Sequence, residues 1–153
     1  MHSPPPDTVA PARAVPGANL AQACRDIAAL FREAGIDTPE LDARLLVCHC
    51  CDLSHEQLAA NPRRPLDDRE ASDLESCAAR RLAREPVSRI VGRREFHGLD
   101  FALGPTTLDP RGDTEVLVDA AIELARGGSN KDGVRVLDLG TGSGCILVSL
   151  LHA

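Results

Sequence analysis

The seven residues Asp138-Leu139-Gly140-Thr141-Gly142-Ser143-Gly144 hold the residue types best suited to binding chemistry in this chain. Glycines at alternate positions let a backbone turn sharply and bring a ligand within van der Waals reach of the main chain. The amides that open the following helix are then free to meet a negative or polar group. Several ligands suit that geometry, so residue identity must discriminate. A dinucleotide fingerprint needs its third glycine or an alanine where Cys145 stands. A phosphate-cradling loop with Gly144 as its second glycine would put its first on Leu139 and its lysine on Cys145, and the only lysine present is Lys131. Both nucleotide readings fail. A tight strand–helix turn without a ligand is the plain alternative.

Other candidates carry less. Cys48-His49-Cys50-Cys51 contains a C-x-x-C around a histidine, but a tetrahedral metal site needs a second ligand pair, and the remaining cysteines are isolated in sequence. Core packing at the end of a helix is the expectation there. Arg111-Gly112-Asp113 spells an adhesion tripeptide with no secretion signal beside it, and Asp113 has a helix to cap. Arg89, Arg93 and Arg94 read as a solvated hairpin edge. Residues 63–94 hold nine arginines against six acids, yet the two signs are interspersed, as on a solvated helix face.

Bulk composition narrows the classes further. A net charge of −6 gives no overall attraction for a phosphate backbone, and with three phenylalanines and no Trp or Tyr there is little to stack on bases. Direct nucleic-acid binding is therefore not expected. No apolar run approaches the roughly 18–20 residues of a membrane span. Six cysteines without a secreted-type framework or signal peptide lead us to expect reduced thiols and a cytoplasmic protein.

The elements that must position the loop follow from periodicity. Residues 1–18 hold five of the eleven prolines and read as an extended leader. Over 19–85 four helices are expected. Asn19 caps the first, which buries Leu20, Cys24, Ile27 and Phe31 and stops at Gly35. Thr38 caps the second, with Pro39 in its first turn and Leu41, Leu45 and Cys48 on its inner face. Ser54 and Gln57 open the third, and Asp67 and Glu70 open the fourth, each with capping-box spacing. A β-hairpin linker is expected over 86–112, turning at His97-Gly98. In 113–153, Asp113 caps a helix whose inner side is Val116, Leu117, Ala120, Ala121 and Leu124. Val134 to Leu139 forms a short strand, and the glycine loop leads into a buried helix. Strand, glycine loop and helix open a doubly wound sheet. The fold class is thus α/β, a small helical bundle followed by the start of a Rossmann-like domain that stops short.

Asp138 to Gly144 fits D-x-G-x-G-x-G and resembles the first motif of class I S-adenosylmethionine-dependent methyltransferases. Glu85 to Leu99 resembles the linker of the release-factor glutamine methyltransferase family. Leu108-Asp109-Pro110-Arg111-Gly112-Asp113-Thr114-Glu115 is similar to that family's I-P-R-P-D-T-E segment, and Leu41 to Leu46 to its helical domain. The resemblance implies S-adenosylmethionine as cofactor, held by Asp138, Gly140, Thr141, Gly142, Ser143 and Gly144, with Asp138 facing its ammonium group. It implies methyl transfer to a glutamine amide of a peptide chain release factor, which the helical domain helps dock. The family's Asn-Pro-Pro-Tyr catalytic motif is absent from these 153 residues. The expectation is that it lies beyond residue 153 and that this chain is an inactive fragment. Gly112 stands where the family usually has Pro, Asp109 where it has an aliphatic residue, and His97 where an aromatic is common. A methyltransferase for nucleic acid or another protein, and a non-catalytic protein-binding module, remain alternatives.

Overall fold

The computed structural model describes residues 17–104, 106–127 and 134–153, so most of the expected proline leader lies outside the described residues. The chain divides into two compact units, one ending at Val91 and the other beginning at Gly92.

The first unit is helical: α1 (Leu20–Glu33), α2 (Pro39–Cys50), α3 (His55–Ala60), α4 (Asp68–Leu82) and α5 (Val87–Val91). α1 begins with every early amide accounted for. The Asn19 side chain accepts from the Gln22 amide at 2.9 Å, and the Leu20 and Ala21 amides donate to the carbonyls of Arg64 and Pro62 at 2.9 and 3.0 Å. Those donors have no partner within a helix, so the 62–64 loop supplies what the helix cannot. Gly35, at φ +66°, ends the helix, with the Ile36 amide reaching back to the Phe31 carbonyl at 2.9 Å. That left-handed step is nearly free for glycine. Arg84 adds its guanidinium to the carbonyls of Ala34 and Gly35, again at an end where acceptors are left over.

The capping boxes at Ser54/Gln57 and Asp67/Glu70 both form. The core packs Leu20, Ile27 and Phe31 against Leu46, Val47, Leu74 and Ala78, and Cys48 and Cys51 belong to it. α5 was not foreseen. It brings Ile90 into the same core, so the helical unit runs six residues past the boundary expected at 85.

Two expectations for α2 are corrected. Leu41 is 51% exposed and Leu45 half-buried, whereas Asp42, Ala43, Leu46, Val47 and Cys48 face inward. The helix is rotated so that Asp42 turns inward to meet Arg81 on α4. Thr38 makes no side-chain cap; its hydroxyl donates to Asp42 Oδ1 at 2.9 Å instead.

The second unit contains β1 (Arg93–Phe96) and β2 (Leu99–Ala102), an antiparallel pair in register Phe96 to Leu99, then a short 3₁₀ turn (Gly112–Thr114), α6 (Glu115–Gly127) and α7 (Cys145–His152). His97 and Gly98 both have positive φ (52° and 75°), the signature of a tight hairpin turn. Phe96 and Phe101 meet edge to face, with centroids 6.3 Å apart, and pack with Val118 and Cys145. Edge-on contact suits the ring quadrupoles.

The second unit departs from the sequence reading in four places. Residues 134–138 form no strand, and Val136, Leu137 and Leu139 are exposed. A parallel strand needs neighbours on both edges and cover on both faces; among the described residues the two strands present pair with each other. On α6, Val118 is buried while Val116, Leu117 and Leu124 are exposed, the reverse of the expected face. The helix turns Val118 and Ile122 toward the two phenylalanines, the apolar cluster that the second unit offers it. Asp113 lies inside the 3₁₀ turn and is not a helix cap. α7 is only partly buried: Cys145 and Ser149 are covered, but Leu151 is 88% exposed.

Candidate functional site

The glycine loop reaches its shape through backbone conformation. Gly140, Gly142 and Gly144 have φ of +82°, +57° and +77°. All three sit in the left-handed region that L side chains adopt at a cost of about 1–2 kcal/mol per residue. Space is not the constraint: a Cβ at Gly140 would meet nothing within 4 Å, and one at Gly144 would touch Thr141 Cγ2 only at 3.9 Å. Alternating glycines are thus required by the turn itself.

Local bonds hold the turn closed. Thr141 Oγ1 donates to the Asp138 carbonyl at 3.2 Å, and the Gly144 amide donates to the Thr141 carbonyl at 2.9 Å. Gly144 then serves as the N-cap of α7 without a side chain to satisfy its first amides. Free amide donors at a helix start favour an acceptor-rich ligand. Ser143 is half-buried and Thr141 exposed.

Asp138 is half-buried, but its Oδ2 is fully covered and has no hydrogen-bond partner. A covered carboxylate oxygen without a donor costs free energy, so a donor arriving there is favoured. An ammonium group would fit, by charge and by donor count. The loop is thus a cradle shaped by backbone, with one covered carboxylate oxygen left without a donor.

The segment Leu108 to Glu115 wraps into the 3₁₀ turn, where the Thr114 amide donates to the Arg111 carbonyl at 2.9 Å. Gly112 opens that turn without a positive φ and with room for a Cβ, so nothing local demands glycine there. His97 Nε2 lies 2.9 Å from Asp119 Oδ1, a polar contact that ties the hairpin turn to α6. Arg93 and Arg94 are exposed on the hairpin.

Among the described residues no group of three or more His, Cys, Asp or Glu side chains is placed to hold a metal ion. Cys48 and Cys51 are core residues, and His49 is exposed. No described helix is long and apolar enough to cross a membrane.

Residues 22–92 match the family model described as the PrmC N-terminal domain. The chain is 46% identical over 136 residues to a release factor glutamine methyltransferase of Bradyrhizobium diazoefficiens, covering 89% of this chain and 46% of that protein. It is 51% identical over 121 residues to the protein of the same name from Rhodospirillum rubrum, covering 79% and 36%. A bifunctional methyltransferase of Rickettsia bellii is 35% identical over 144 residues, covering 79% and 26%. The resemblance to the release-factor glutamine methyltransferases thus extends over most of the chain, which spans less than half the length of these relatives.

Proposed function

We propose that these 153 residues are the N-terminal portion of an S-adenosylmethionine-dependent methyltransferase that modifies the side-chain amide nitrogen of a glutamine in peptide chain release factors. The observation that carries this reading is the loop: three left-handed glycines behind a carboxylate with an unpartnered oxygen. When bound, the cofactor supplies a methyl group activated by an adjacent sulfonium. Asp138 Oδ2 accepts from its ammonium end, and the backbone at Gly140, Gly142 and Gly144 lets the ligand lie against the main chain. Thr141 and Ser143 line the same turn. The helical unit, expected over 19–85 and continuing through α5, docks the protein substrate. The hairpin linker and residues 113–153 then begin a Rossmann-like catalytic domain.

An amide nitrogen is a poor nucleophile, because its lone pair is delocalised into the carbonyl. Transfer to it depends on a grip that orients the amide toward the methyl group. The Asn-Pro-Pro-Tyr sequence to which the resemblance assigns that grip is absent from residues 1–153, so we expect this polypeptide alone to transfer no methyl group and to bind the cofactor weakly.

The test is a chimera in which residues 1–153 replace the matching segment of the Bradyrhizobium diazoefficiens relative. It should bind S-adenosylmethionine by calorimetry and methylate a release factor. Asp138→Ala should weaken binding by roughly 10–100-fold, the value of a charge-assisted hydrogen bond of about 1.5–3 kcal/mol. A chimera that binds a nicotinamide dinucleotide or a nucleoside triphosphate at this loop instead would overturn the proposal. Micromolar cofactor binding by residues 1–153 alone would overturn the expectation that the pocket is incomplete.

A further inference from the structure

In the helical unit, a groove of about 410 Å³ runs between α1 and α2, lined by Cys24, Arg25, Ala28, Arg32, Glu40 and Arg44. Cys24, Ala28 and Arg32 recur at four-residue steps on α1, as Glu40 and Arg44 do on α2, so each helix gives the groove one face. Buried Ala28 and half-buried Cys24 make an apolar floor, and the exposed arginines and Glu40 form the banks. Arg32 is paired with Glu40. Among the described residues Arg44 makes no ion pair, and the Arg25 guanidinium donates to the neutral side chain of Gln22 at 2.6 Å. Arg25 and Arg44 are thus cations without an acid, on a chain whose net charge is −6. Leu41, the exposed leucine of α2, stands three residues before Arg44 on the same side of that helix.

We propose that the groove between α1 and α2 docks an acidic segment of a partner protein, which lays apolar side chains over Ala28 and Leu41 and sets carboxylates against Arg25 and Arg44. The docking role of the helical unit in the proposed function is the premise, and the groove gives that role a place and a chemistry. A guanidinium presents its donors as a planar fork, which a carboxylate meets with two parallel bonds. A phosphate fits the same fork, but nucleic acid fails on two other counts. The groove holds no aromatic side chain on which a base could stack, and the net negative charge of the chain opposes a phosphate backbone. An apolar floor between separated cations suits instead a polypeptide that carries leucine-like and acidic side chains on one face.

The test titrates the whole chain into a fluorescein-labelled synthetic helical peptide of glutamates with a leucine at every third or fourth position. Fluorescence anisotropy should show saturable binding that weakens as salt rises, because exposed charges are screened. Amide shifts in the isotope-labelled chain should centre on Ala28 and Arg44. Arg44→Glu should weaken binding about fivefold, as attraction to a carboxylate turns to repulsion. Arg63→Glu makes the same change of charge at an exposed site off the groove and should weaken it less than about twofold. Shifts in the unsubstituted chain locate the site even if Arg44→Glu fails to fold. Absence of saturable binding would overturn the proposal, as would equal losses in the two variants, shifts centred elsewhere, or an oligothymidylate of equal charge binding as tightly as the peptide. A chimera that methylates a release factor while the peptide leaves the groove untouched would fault this face alone. A groove that binds the peptide in a chimera without methyl transfer would fault the methyltransferase reading alone.

Discussion

Asp42 Oδ2 accepts from Arg81 Nε at 2.7 Å across 39 residues of sequence, with side chains only 6% and 17% exposed. Its other oxygen accepts from the Thr38 hydroxyl, and Arg81 also reaches the Glu85 carbonyl at 3.3 Å. Asp42 thus ties the start of α2 to the end of α4. Removing one partner of a covered pair leaves the other without compensation. Asp42→Ala should cost about 3 kcal/mol of helical-unit stability. Urea unfolding followed by circular dichroism measures it, and a loss under about 1 kcal/mol would mean that solvent replaces the carboxylate readily.

Glu70 closes the capping box of α4 and forks onto Arg64 at 2.8 and 3.1 Å. The Arg64 guanidinium, foremost, holds its carboxyl below the usual value of 4.5. A depressed folded value means that the stabilisation is complete above the unfolded value and is lost as pH falls through the folded one. Glu70→Gln should therefore cost about 1 kcal/mol at neutral pH, and the difference from the unsubstituted chain should shrink as pH falls below 4.5. Thermal unfolding at pH 7 and pH 3 checks the sign; a constant difference would assign the loss to packing.

Gly112 opens the 3₁₀ turn before α6 with ordinary φ and open space around it. Proline is preorganised for a first helical position. Gly112→Pro should raise stability by about 0.4–1 kcal/mol, mainly by restricting the unfolded chain. Chemical denaturation of the second unit, with the α6 amides followed by hydrogen exchange, reads this directly. A loss would show that the Gly112 amide has a partner that proline removes.

Leu137 and Leu139 are 81% and 84% exposed. Replacing both by serine in residues 1–153 should change stability by less than about 0.5 kcal/mol, as for other surface positions. In the chimera, where a sheet would cover the segment, the same pair should cost several times more. Equal effects in both proteins would mean that the strand is missing for some reason other than a lack of neighbours.

Three of the five expected caps were legible because their partners lie three residues away; Thr38 and Asp113 were not, since Thr38 turns to Asp42 and Asp113 lies inside the 3₁₀ turn. Asn19, Ser54 with Gln57, and Asp67 with Glu70 all bond as their spacing predicts. The face of α2 was not, because the partner that turns Asp42 inward is 39 positions distant and no periodicity reports it. Val134 to Leu139 carries a strand's pattern, but a pattern states what a segment can bury, not whether a neighbour is there to bury it. In the loop, the left-handed glycines could be anticipated from residue type. The covered, unpartnered oxygen of Asp138 could not, since its burial depends on the fold around it.

The seam between the entry to α1 and the 62–66 segment, completed by the Leu66 amide on the Ala18 carbonyl at 2.9 Å, changes how this bundle can open. A helix whose leading amides face water frays from its tip, and its first protons trade with solvent within moments. In this bundle the tip is stitched to a loop from the far side of α3. Leu20 and Ala21 should therefore keep their protons in heavy water about as long as Phe31 does, because releasing them requires the bundle to part as a whole.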